Sequence, residues 1–200
     1  MKKLSLFSLF IFVLALSCSD DSTSPNNNSK EIFPLKIGNS WVYNYTFYDD
    51  FEVKTTKGTL TVVSDEMYNG ERYYRIEISD GDQAIIIPPI YYINKSDGLY
   101  LLFFEDNQEP ESVLIKYPVT EGEIFFNDGF HKSYVEKVDT LISTSAGKFK
   151  CIKYVDIIHL NGEQIHKSIK YYCPGIGLIA SESGNWSLEN RSELVSFKLK

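Results

Sequence analysis

The chain has 200 residues, 43% hydrophobic and 24% charged, with a formal net charge of −7. Aromatics make up 14%, which excludes a disordered chain. The pI near 5.0 excludes a basic nucleic-acid-binding face, and the length fits one domain with its own core.

The first segment differs from the rest. Lys2 and Lys3 precede an apolar run from Leu4 to Leu16, broken only by Ser5 and Ser8. Such a run is about 20 Å long as a helix, shorter than the ~30 Å hydrocarbon core that a membrane span must cross. It has the build of a helical secretory signal. The run ends Leu14-Ala15-Leu16-Ser17-Cys18, which resembles a bacterial lipoprotein signal. That resemblance implies cleavage after Ser17 and lipidation of Cys18. Residues 1–17 are then a signal peptide, 18–30 a lipidated cysteine with a polar tether, and 31–200 the folded domain. The tether, rich in Ser, Asp and Asn, contains nothing that forms a core. Ser19-Asp20-Asp21 resembles the acidic export tag of Bacteroidetes surface lipoproteins. Loss of Lys2 and Lys3 takes the side-chain charge from −7 to −9. An acidic body is repelled by anionic headgroups, so membrane attachment rests on the lipid.

From Ile32 onward the dominant period is two. Trp41, Tyr43, Tyr45 and Phe47 fall on one face of a strand. Thr59–Val63 is β-branched, and Arg72–Ile78 alternates after the turn signal Asn69-Gly70. Ile90–Asn94 and Leu99–Phe104 flank Ser96-Asp97-Gly98 as a hairpin. Strand patterns continue through 113–115, 124–126, 138–144, 149–158, 165–172, 178–181 and 194–199. This predicts an all-β fold: a single antiparallel curved sheet or half-open β-barrel, with a β-sandwich as the alternative.

The hairpin at Asn161-Gly162 can be tested for register. Phe149, Cys151, Val155 and Ile157 on one arm, and Ile165, Ile169, Tyr171 and Cys173 on the other, are apolar at odd positions. Opposed residues share a face, so partner numbers must sum to an even value. This favours a three-residue loop, Leu160-Asn161-Gly162, with His159 opposite Glu163 and His166 opposite Asp156. Cys151 and Cys173 then share a face as diagonal neighbours. A bulge, or a loop one residue longer, sets them directly opposite. A disulfide in an oxidising compartment and two buried thiols both remain open.

Phe33-Pro34-Leu35-Lys36-Ile37-Gly38-Asn39-Ser40-Trp41 has a loose echo in Tyr117-Pro118-Val119-Thr120-Glu121-Gly122-Glu123-Ile124-Phe125. Each reads as the same β corner. Pro interrupts pairing, Gly permits the turn, and an aromatic starts the next strand facing inward. Two similar β halves, or coincidence between two corners, would give this pattern.

Three segments, FPLKIGNSWVYNY, SAGKFKCIKY and YYCPGIGLI, resemble a family of bacterial envelope lipoproteins of unknown function, the TapB-like proteins. These are similar to the β-rich domains of the Lol lipoprotein carriers. The resemblance implies a curved antiparallel sheet around an apolar groove and brings no catalytic residues.

No motif for chemistry stands out. There is no G-x-S-x-G elbow, H-E-x-x-H or phosphate-cradling glycine loop. His159 and His166 have opposite parity beside a turn and cannot share a metal. His131 follows a loop, with no nucleophile set beside it by spacing. No C-x₂-C pattern suggests zinc. Asp139-Thr140-Leu141 resembles a Bacteroidetes O-glycosylation site, provided that its threonine is exposed. Tyr73-Tyr74, Tyr91-Tyr92 and Tyr171-Tyr172 each put one ring on either face.

The sequence therefore predicts a non-enzymatic envelope lipoprotein without metal or cofactor, sited at the outer membrane on its periplasmic or surface side. It would bind an apolar ligand or a partner protein, with Trp41, Tyr43 and Phe47 lining a groove. A carbohydrate-binding accessory of glycan uptake is the alternative. Neither reading involves nucleic acid.

Overall fold

The protein is described from a computed structural model over residues 29–48, 52–80, 83–84, 90–103, 111–184 and 189–200. Cys18, the signal segment and the tether up to residue 28 lie outside the described residues.

Among the described residues thirteen strands form one antiparallel sheet: β1 (Ser40–Tyr48), β2 (Val53–Tyr68), β3 (Glu71–Asp80), β4 (Gln83–Ala84), β5 (Ile90–Lys95), β6 (Gly98–Phe103), β7 (Ser112–Lys116), β8 (Ile124–Asn127), β9 (His131–Thr144), β10 (Gly147–Leu160), β11 (Glu163–Cys173), β12 (Gly177–Gly184) and β13 (Glu189–Lys198). The order is β7-β6-β5-β3-β2-β1-β13-β12-β11-β10-β9-β8, with the short β4 beside β3. The sheet curls into a nearly closed barrel. Its unsealed seam lies between β7 and β8, which no ladder joins among the described residues. The described residues contain no helix.

Neighbouring strands are mostly consecutive in sequence, so turns alternate between the two ends. One end, the base, carries the turns at 69–70, 96–97 and 145–146 and receives the chain at Ser29. The other end, the mouth, carries the turns at 128–130 and 161–162 and the free ends of β1 and β2 at Tyr48 and Val53.

The base is plugged. Ile32, Phe33 and Leu35 are buried beneath the strands. Phe33 stacks on Trp41 with centroids 4.4 Å apart and meets Tyr92 edge-on at 6.0 Å. The side-chain amide of Asn94 donates to the Phe33 carbonyl at 2.8 Å, pinning the strap across the opening. Above it, Trp41, Tyr43, Phe149, Tyr154, Tyr172 and Leu194 form one core. A smaller cluster of Tyr73, Tyr91, Ile93 and Leu102 lies on the opposite face of β3, β5 and β6. Two of the tyrosine doublets divide as alternation requires, with Tyr74 and Tyr92 packing against the main core and Tyr73 and Tyr91 in the second cluster, whereas Tyr171 and Tyr172 both pack with the main core.

The Asn161-Gly162 hairpin departs from expectation. Leu160 pairs with Glu163 across a two-residue turn, in which Asn161 and Gly162 have φ of 54° and 85°. Two positive φ values give a turn whose twist matches the strands. A bulge absorbs the parity conflict: His159 pairs with Gln164, and Ile158 with His166. His166 thus opposes Ile158, and Asp156 opposes Ser168. From the bulge onward the register runs to Ile152↔Tyr172, and its next step sets Cys151 opposite Cys173. Both cysteines are buried free thiols.

Candidate functional site

Trp41 and Tyr43 belong to the packed core, not to an open groove. The Trp41 indole N–H donates to the Ile176 carbonyl at 2.7 Å, and the Tyr43 hydroxyl to the Leu178 carbonyl at 2.9 Å. Both rings are fully buried, with no surface left for a ligand. Phe47 differs. It lies on the same strand at the mouth and is 43% exposed.

The ladders define what lines the inner face near the mouth. One cross-strand row runs Val135, Tyr154, Lys170, Ser181, Ser192, Tyr45. The next row toward the mouth runs Ser133, Asp156, Ser168, Ser183, Asn190, Phe47. The apolar base thus gives way to a polar band. Its centre is Asp156, which accepts from the Ser133 hydroxyl at 2.5 Å and from Lys170 Nζ at 3.0 Å. His131 Nε2 stands 3.6 Å from the same carboxylate and 3.0 Å from Ser133 Oγ.

Sequence reasoning set no nucleophile beside His131, yet the i, i+2 spacing along β9 puts Ser133 there on the same face. The trio is nevertheless no Ser-His-Asp relay. Ser133 gives its proton to Asp156, not to the imidazole, and it is only 3% exposed. The cluster is a satisfied polar network in a low-dielectric setting.

A 540 Å³ depression lies at the mouth end of β11, β12, β13 and β1, lined among others by Tyr48, Ile165, Lys167, Glu182, Glu189 and Arg191. It opens where Gly184 occupies the row Lys167, Gly184, Glu189, Tyr48 and contributes no side chain. Lysine and arginine alternate there with glutamates, over Ile165 and Ile169.

The rim carries a further signal. The aromatic rings among the exposed large hydrophobics of the described residues are Phe47, Tyr48, Phe126 and Phe130, and all four lie at the mouth. Leu160 is exposed there too, and the His159 N–H donates to the Phe130 carbonyl at 2.8 Å, tying the two turns together. Alternation could not reveal this shared end, because it depends on which turns lie together.

Thr140, the threonine of the glycosylation pattern, is half-buried and pairs with Cys151, so it faces inward. Among the described residues no three His, Cys, Asp or Glu side chains converge as a metal site, and no helix is long and apolar enough to cross a membrane.

The barrel has counterparts among solved structures. A protein assigned as exported, with a YmcC-like fold, from Bacteroides fragilis aligns with a TM-score of 0.51 at 16% identity. A protein designated a lipoprotein from Parabacteroides distasonis aligns with a TM-score of 0.50 at 15% identity. Each alignment covers 84% of this chain and 98% of the other. At such identities the likeness is one of fold. No family model matches the chain, and no curated protein does.

Proposed function

We propose that the protein is a non-enzymatic binding module of the bacterial envelope, lipidated at Cys18 and held at the outer membrane, that engages a partner protein with the mouth of its barrel. The observation that carries this reading is that Phe47, Tyr48, Phe126 and Phe130, the exposed aromatic rings among the described residues, all stand around the mouth and none at the base. Aromatic residues are enriched at protein-contact surfaces relative to the rest of a protein's surface. The envelope address draws support from the signal-like first segment, from the TapB-like segments, and from structural neighbours described as exported or as a lipoprotein. A partner is favoured over an internal apolar ligand because the base of the barrel is filled by its own rings.

Two measurements test the proposal. Palmitate labelling of cells expressing the full chain should be abolished by Cys18→Ala, and unchanged labelling would remove the anchor. Photo-crosslinking in intact cells from position 130 should give a discrete adduct that position 37, at the base, does not. Equal adducts from both ends would remove the mouth as the contact surface.

The depression beside Tyr48 supports a second reading, a carbohydrate site. A tyrosine ring offers a stacking face, and carboxylates and amides suit hydroxyl groups. Calorimetry with envelope oligosaccharides, comparing the native chain with Tyr48→Ala, separates it from the first.

A further inference from the structure

The sequence echo is a structural repeat. Gly38 N–H donates to the Val62 carbonyl at 2.8 Å, Val62 N–H to Asn39 at 3.0 Å, and Asn39 N–H to Lys36 at 2.9 Å. In the second copy, Gly122 N–H donates to Val135 at 2.8 Å, Val135 N–H to Glu123 at 2.8 Å, and Glu123 N–H to Thr120 at 3.2 Å. The aromatic that follows, Trp41 or Phe125, packs against the main core in both. The sheet order obeys the same division. β1, β2, β3, β5, β6 and β7 form one six-strand meander, and β8 to β13 another.

In such a duplicated barrel the two joins between halves are counterparts. One is zipped: β1 pairs with β13 from Ser40↔Lys198 to Tyr48↔Glu189. The counterpart, β8 with β7, has no ladder among the described residues. Strand β7 has 5 residues and β8 only 4. At the base the two are held by the Lys116–Glu123 ion pair at 3.0 Å. Toward the mouth no strand among the described residues pairs with the outer edge of β8. Its sequence, Ile-Phe-Phe-Asn, carries neither of two common edge guards, a charge or a Pro, and its guards are shortness and the bulge between Ile124 and Phe126. Ile124 and Phe126 are 51% and 45% exposed, and Val113 on β7 is exposed as well.

We propose that the β8 edge is a strand acceptor: an extended segment of a partner protein, carrying apolar side chains as β13 carries Leu194, Val195 and Phe197, pairs antiparallel with β8 and seats one of them against Phe126. The zipped counterpart argues for this occupant, since β8 stands where β1 stands and β1 takes an antiparallel strand. Main-chain bonds would supply affinity and the flanking apolar side chains selectivity. This deepens the partner reading above and rests on it.

The test uses the full chain and a fluorescein-labelled peptide of sequence Glu189–Lys198. Anisotropy should rise saturably, and Phe126→Lys should weaken binding at least about tenfold, a loss of ~1.4 kcal/mol. Met67→Lys, an exposed apolar position at the base, should leave it unchanged. Absence of saturation up to about 1 mM peptide, the weak limit for a specific contact, would overturn the proposal. So would equal binding by Phe126→Lys, which would mean exchange with the chain's own β13. Self-association of the chain abolished by Phe126→Lys would make the occupant a second copy and overturn it too. Adducts at position 130 persisting without peptide binding would refute the acceptor edge while leaving the partner reading in place.

Discussion

Gly38 and Gly122 perform the same task in the two halves of the barrel: each donates its backbone N–H at 2.8 Å to the carbonyl of a fully buried valine, Val62 or Val135. Both have left-handed backbones, with φ of 89° and 81°. An alanine at Gly122 would meet no neighbouring atom, so its cost is backbone strain alone. Gly122→Ala should destabilise by about 1–2 kcal/mol. Gly38→Ala should cost a similar amount once the Lys200 side chain swings aside. Urea titrations of both variants check the equivalence of the corners.

Trp41 anchors the plugged base through stacking on Phe33 and its bond to Ile176. Trp41→Phe removes that donor, strands a buried carbonyl and leaves a cavity. A loss of about 2–4 kcal/mol is expected, read as a lower urea midpoint with an unchanged slope.

Asp156 joins Ser133 and Lys170 in a partly buried network. Asp156→Asn removes the charge that Lys170 opposes and should cost about 1–3 kcal/mol. Adding Lys170→Met should recover part of that loss. A double-mutant cycle measures the coupling, and strict additivity would show that the pair does not interact.

Burial pushes the Cys173 thiol up to about 12, and it raises the Cys151 thiol further, with Cys173 close by. Thiolate is the reactive form, so neither cysteine should react with a disulfide reagent in the native protein at pH 8. A Cys18→Ala chain purified under reducing conditions should release two thiols on unfolding. The same chain isolated without reductant should also release two thiols on unfolding, and their absence would show a bond between Cys151 and Cys173.

The pH profile should be a plateau with two shoulders. The hydrogen bond from Lys95 holds Glu71 below the ordinary 4.5, the Thr120 backbone N–H and Lys116 do so for Glu123, and backbone N–H groups of His131 and Phe130 lower Asp128. Because these carboxyls are lowered in the folded state, their contribution is present above the unfolded values and fades as pH falls through the folded ones. Burial raises Tyr73 and Tyr92 to about 12, with Glu111 adding to the effect on Tyr73. That contribution is complete below 10 and fades as pH rises. Thermal unfolding should be flattest between about pH 5 and pH 10. Glu71→Gln should reduce the acid slope.

Alternation along Trp41–Phe47 and Arg72–Ile78, and the Asn69-Gly70 turn, were enough to fix an all-β fold, because pleat and turn chemistry are local. The corner echo was visible too, but along the chain it could equally be coincidence; the matching backbone bonds of Gly38 and Gly122 made it a repeat. Register at Asn161-Gly162 was not legible. Parity argued for a three-residue loop, and the sheet met parity with a bulge at Ile158/His159 that no local signal marked. Nor could sequence tell that Trp41 and Tyr43 are consumed by packing while Phe47 is not. That depends on the strap through Phe33 filling one end of the barrel only. What the sequence by itself determined was the period of the strands and the place of the corners, both set by neighbours along the chain. Only the tertiary structure decided which end is closed, which aromatic rings reach solvent and which of two equivalent seams stays open, because these follow from contacts between residues far apart in the chain.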